Sequence, residues 1–232
     1  MCGNILAELL FDINMPINLL LVFMILSQAI NPSSYTEAQL ELADNKQIPA
    51  EIEKNVLTAL SFYPELKNTT IDFLFKKNLQ TSVMQAQPVF TSLLKKKKNR
   101  RYRINISTNF KLINSQMPIL EIPDEVMIGW IGHELGHILD YECKSNSEVV
   151  SFGYNYLFHP KFVKHAEMVA DSLAVERGMG DYIVATKRFI LDHAELPQAY
   201  KDKIRRLYLS PDVIMEQVKR LEEGKKAKQK AL

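Results

Sequence analysis

Residues 131–141 read IGHELGHILDY, and the organisation of the chain is decided around them. The apolar positions there recur at helical spacing, and on a helix residues four apart point to one side. His133 and His137 can therefore offer two imidazole nitrogens to a single metal ion. Glu134 lies about 100° around the helix from His133. It can reach a water held by that ion without occupying the metal itself. Zinc suits such a site, because it takes nitrogen and oxygen ligands and keeps a position open in catalytic centres. A bare H-E-x-x-H match is only suggestive, so its surroundings have to decide.

Working outward, the same helix is expected over 124–142, with Asp124 after Pro123 as its cap. It holds Gly129, Gly132 and Gly136. Each glycine costs a helix roughly 1 kcal/mol relative to alanine. Three so close together make sense where another backbone approaches, and Gly132 and Gly136 are read as sharing that face. Residues 165–175 read HAEMVADSLAV, with Glu167, Ala170, Asp171 and Ala174 at i, i+3, i+4 and i+7. A close helix pair would bring Glu167 beside the two histidines as third ligand. Asp171, one turn on, could accept the outer N–H of a ligating histidine. Other third ligands are weaker. The H-E-x-x-H-x-x-G-x-x-H pattern would need glycine at 140 and histidine at 143, and it fails at both, where Asp140 and Cys143 stand. Cys143 reads as a small apolar residue. His165 points to another side of its helix, and His159 sits in a loop before Pro160.

On the N-terminal side the period changes. A helix is expected over 49–62, stopped by Pro64, then strands over 70–75, 83–90 and 101–108 and a short one near 117–122. On the C-terminal side, helices are expected over 162–177, 182–194, 198–208 and 212–228. Gly178 would end one, Asp181 cap the next, and Ser210 and Pro211 start the last. A small, mainly antiparallel sheet followed by a helical half, with the HELGH helix at the join, is an α+β order.

The N-terminus reads as a targeting segment. Residues 17–30 (INLLLVFMILSQAI) are nearly all apolar and carry no charge. That is short for a membrane span, which needs roughly 20 residues, and suits a signal-peptide core with cleavage after Ala29. The residues before it supply no lysine or arginine and include Glu8 and Asp12, so an uncleaved anchor is the competing reading. The division is thus 1–29 as signal peptide or anchor and 30–232 as one catalytic domain, exported to the periplasm or secreted. A formal charge of +2 implies no polyanionic partner, and the two cysteines exclude a disulfide-stapled fold. The basic run at 95–103 (KKKKNRRYR) reads as a solvated hairpin tip, with contact to nucleic acid or an anionic membrane as the sharper alternatives. Nucleic acid is not expected as a partner. Membrane proximity, through the N-terminal segment or this hairpin, is compatible with the pattern.

H-E-x-x-H followed about thirty residues later by E-x-x-A-D resembles the gluzincin metallopeptidases. In detail, residues 131–141 and 167–178 (EMVADSLAVERG) look like the branch holding the HtpX protease, the CAAX prenyl endopeptidases and the BepA-like proteases. The resemblance implies a zincin-like fold and one Zn2+ per chain on His133, His137 and Glu167. It also implies Glu134 as base and Asp171 behind the ligands. HtpX and the CAAX enzymes carry several membrane spans and BepA-like proteins a long helical-repeat tail. About forty residues follow position 195 here, so a minimal, single-domain exported member is expected. The expected activity is endopeptidase cleavage of protein or peptide substrates, in envelope protein quality control. The competing class is a non-catalytic zinc-containing envelope protein that binds or chaperones. Tyr154, Tyr156, His159 and His193 are the candidates to stabilise an oxyanion, and strand 102–108 the candidate edge for an extended substrate.

Overall fold

The computed structural model describes residues 37–77, 79 and 82–230; the expected targeting segment lies outside them. A short helix α1 (Glu37–Ala43) leads into strand β1 (Lys46–Gln47), helix α2 (Glu53–Leu60) and strand β2 (Thr70–Lys76). Strands β3 (Met84–Pro88) and β4 (Arg101–Ser107) form a hairpin, followed by the small pair β5 (Asn109–Lys111) and β6 (Gln116–Pro118). The helical half then runs α3 (Asp124–Glu142), α4 (Asn146–Phe158), α5 (Pro160–Glu176), α6 (Gly180–Asp192), α7 (Gln198–Leu207) and α8 (Pro211–Lys230). The α+β order is therefore present, with α3 at the join. No helix among the described residues is long and apolar enough to cross a membrane.

The four-stranded sheet has the order β1-β2-β4-β3. Its β1–β2 and β2–β4 pairs are parallel and only β3–β4 is antiparallel. The expectation of a mainly antiparallel sheet is thus corrected to a mixed one. Alternation along a strand reports which face is buried, not the direction of its neighbour. The same topology moves the edge. β4 is enclosed by β2 and β3, so the strand expected to offer an open edge is interior and β3 takes that position.

One side of the sheet covers α3 with Ile71, Phe73, Tyr102, Ile104 and Ile106, all buried. Helix α3 is the centre of the molecule, buried from Val126 through Leu139, as expected of a helix packed on every side. Two expected caps are different in detail. Pro123 is the N-cap of α3, and Asp124 lies in the first turn, where its Oδ1 accepts from Asn55 Nδ2 at 2.9 Å. Asp181 likewise lies inside α6 and makes no side-chain cap. At the end of α5, Gly178 has φ +93°, with Gly178 N–H donating to Val175 O and Met179 N–H to Ala174 O. That is a Schellman stop, and glycine pays least for the left-handed residue it needs.

Helix α4 is the element that apolar periodicity does not announce. Its start is set by a capping box, in which Ser145 accepts from the Glu148 N–H while the Glu148 carboxylate accepts from the Ser145 N–H.

Candidate metal centre

The glycines of α3 set how closely its neighbours come. A Cβ on Gly136 would stand 2.6 Å from the carbonyl oxygen of Ala170 and 3.2 Å from its Cα, so α5 crosses in backbone contact. The three glycines do not share one partner, however. Gly129 meets Tyr182 and Thr186 of α6, and Gly132 meets the side chain of Met179 between α5 and α6. Only Gly136 faces α5.

That crossing brings Glu167 to the histidines. His133 Nε2 lies 3.0 Å and His137 Nε2 3.5 Å from the same oxygen, Glu167 Oε2. All three residues are buried, and the group could hold a metal ion. Asp171 Oδ1 accepts from His133 Nδ1 at 2.8 Å, which turns Nε2 toward Glu167. Burial penalises the charge of Glu167, but the hydrogen bonds and charges of both histidines outweigh it and hold its carboxyl well below the usual range. Asp171 is wholly buried. Burial opposes its charge too, and Lys187 and His133 together keep it below the ordinary carboxylate value.

Around this core stand groups that the sequence reading did not single out. Lys187 Nζ donates to Asp171 Oδ1 at 3.0 Å with a side chain only 5% exposed. The backbone N–H of Leu209 donates to Asp171 Oδ2 at 3.2 Å. Tyr208 lies between them, its ring 5.4 Å from His133 and 4.1 Å from the Lys187 ammonium. One carboxylate thus ties a histidine, a lysine and the turn between α7 and α8 together. The signal for Lys187 was available. It stands with Ile183 and Ile190 at i+4 and i+7, a charge in an apolar stripe. Leu209 acts through its backbone, which no side-chain pattern reports.

Glu134 is buried beside the group and is not one of its three members. Burial raises its carboxyl above the usual range, against the pull of the two histidines. Its Oε2 accepts from the N–H of Ala86 at 2.6 Å. The origin of that bond is in the sheet. Val89 N–H bonds to Arg101 O and Ser107 N–H to Val83 O, so odd-numbered residues of β3 face β4. The even ones, Ala86 among them, turn their N–H outward from the edge.

A cleft of about 330 Å³ runs between the outer edge of β3 and helix α4, with Glu134, His137, Glu167 and Tyr156 along it. Of the four oxyanion candidates only Tyr156 reaches the metal group, its hydroxyl donating to Glu167 Oε1. Tyr154 is exposed against Phe158 and His159. His193 packs on Phe189, with Nδ1 buried and without a hydrogen-bond partner among the described residues. Lys203 of α7 also lines the cleft, and burial lowers its pKa while the nearby Glu167 charge raises it. Cys143 is exposed and outside the group.

Comparison of the chain with protein-family models, with curated proteins and with solved structures finds no match in any of the three. The case for a function therefore stands on the two motifs and on the geometry they adopt.

Proposed function

We propose that this chain is a zinc-dependent endopeptidase of zincin-like fold, with His133, His137 and Glu167 as ligands and Glu134 as general base. The observation that carries the reading is the convergence of two imidazole nitrogens on one carboxylate oxygen at 3.0 and 3.5 Å. Zinc with ligands about 2.0–2.1 Å away at tetrahedral angles sets its donor atoms about 3.3 Å apart. Two nitrogens and one oxygen, all buried, are a donor set that zinc favours. Three protein ligands also leave a fourth position for a reactant, whereas a structural site is closed by four.

Zinc in this site would polarise a scissile carbonyl and acidify water beside it. The chain's own groups do the rest. Ala86 N–H holds one oxygen of Glu134, so the carboxylate is fixed at the wall of the cleft and its other oxygen takes the proton. Glu134 then passes that proton to the departing amine. Asp171 keeps the His133 ring in one orientation through Nδ1. Tyr156 is the donor best sited to stabilise the developing oxyanion, once its hydroxyl leaves Glu167. The outward edge of β3 supports an extended peptide as substrate, since strand addition needs an open edge beside the reacting groups. The apolar run at 17–30 supports work in the cell envelope or outside the cell, where protein quality control is the role we assign to it.

Glu134→Gln tests the assignment of the base. The variant is expected to bind zinc as the wild type does and to lose peptide cleavage by at least about a hundredfold, the usual scale for a general base. Cleavage at the wild-type rate would refute the enzymatic reading. Loss of zinc instead would show Glu134 to be a ligand.

A further inference from the structure

Most of the large exposed apolar side chains gather on one side of the molecule. Among the described residues eleven are exposed, and six of them are Phe90, Leu94, Val150, Tyr154, Leu157 and Phe158. The first two lie in the β3–β4 connection and the rest on α4. Leu94 is 80% and Leu157 77% exposed. A soluble surface scatters such residues singly, and a cluster marks a place of contact.

The connection and the helix form one face because they are bolted together. Asn146 Nδ2 donates to Leu93 O at 2.7 Å and to Lys95 O at 2.8 Å. Arg100 is buried and donates to Tyr141 O at 2.7 Å, to Lys144 O at 3.0 Å and to the Asn146 side chain. At about 100° per residue, Val150 and Leu157 fall within roughly 40° of Asn146 around α4. The connection therefore lies over the side of the helix that displays Val150 and Leu157, while Tyr154 and Phe158 stand about 80° and 120° round from Asn146.

The charge of this face is as informative. Within 95–103, Arg100 is consumed by the fold, and Arg101 pairs with Asp72 at 3.1 Å. Lys95, Lys96, Lys97 and Lys98 remain on the exposed surface. Of these four, Lys97 is near enough to act on the Glu148 carboxylate, which the Ser145 cap already holds. Lysines are compact charges that suit headgroup phosphates, and leucine, valine and phenylalanine beside them want hydrocarbon. A nucleic acid would use the cations and leave the aliphatic residues in water.

We propose that this face docks the protein on an anionic membrane surface, with Phe90, Leu94 and the α4 stripe in the interface and Lys95–Lys98 on the headgroups. The consequence is positional. Strand β3 runs straight into Phe90, and Leu157 lines the cleft while belonging to the exposed stripe. The cleft then opens at the level of the headgroups, toward chains lying at or leaving the bilayer. The docking does not depend on the cleavage reading.

Sedimentation of the full chain with vesicles tests it, using phosphatidylcholine alone and phosphatidylcholine with phosphatidylserine at roughly 7:3, whose negative surface attracts exposed lysines. The wild type should prefer the anionic vesicles at least about tenfold at low salt, and less as salt rises. Replacing Lys95, Lys96, Lys97 and Lys98 by glutamine should abolish the preference. Leu94→Ser with Leu157→Ser should weaken binding several-fold, with the circular dichroism of both variants unchanged. The N-terminal segment is the same in all three proteins, so any difference belongs to the face. Equal binding by wild type and both variants would overturn the proposal. So would lysine-dependent retention on a DNA duplex with no preference for anionic vesicles.

Discussion

Asp171 has no room for error, because its two oxygens serve His133, Lys187 and the Leu209 N–H without access to water. Asp171→Asn keeps the shape but loses the charge, so zinc affinity measured with a competing chelator should fall by about 10–100-fold. Lys187→Met leaves a buried carboxylate short of its cation, and denaturant unfolding should show a loss of about 3–5 kcal/mol. The double variant should cost less than the two single losses added, since the pair shares one interaction. Additive losses would mean that Lys187 and Asp171 act separately. At this scale HELGH, Glu167 and Asp171 were legible in the sequence, because each lies at helical spacing from its motif. Tyr208, Ala86 and Leu209 were not. They join the site through a ring face or a backbone N–H, and they come from elements whose approach no spacing encodes.

Helix α3 is positioned by what its glycines admit. Gly136→Ala places a methyl against the backbone of Ala170, which cannot swing away as a side chain could. It should cost about 1–3 kcal/mol in stability and weaken zinc binding too, since α5 carries Glu167. Gly153 of α4 is the contrast, because a Cβ there meets nothing within 4 Å. Gly153→Ala should raise stability by about 0.5–1 kcal/mol in the same unfolding measurement. The long helices were readable from their periods, from the stop at Gly178 and from the start at Pro211. Helix α4 was not, since its apolar residues fall on opposite sides, Val149 and Phe152 inward and Val150, Tyr154 and Phe158 outward. Its capping box at Ser145 and Glu148 was the surviving signal. Strand pairing was the other blind spot. Tyr102, Ile104 and Ile106 are buried as their alternation implies, but nothing in 101–108 says that β2 joins it in parallel and leaves the edge to β3.

In the whole molecule the site is the meeting point of all layers. The sheet lends Ala86 from its edge, α3 the two histidines and Glu134, α5 the carboxylates, α6 Lys187, and the α7–α8 turn its N–H. A metal bound there and absent from the unfolded chain stabilises all of them together. At a thousandfold excess over its dissociation constant the gain is about 4 kcal/mol. Chelation should therefore lower the melting temperature by roughly 10 °C for a protein of this size, and an unmoved transition would mean that no metal links these elements. The donor set itself is read most directly by zinc K-edge X-ray absorption on the purified protein. The account predicts one zinc per chain with nitrogen and oxygen ligands at about 2.0–2.1 Å and no sulfur. A sulfur shell near about 2.3 Å, or a protein that holds no zinc, would contradict it.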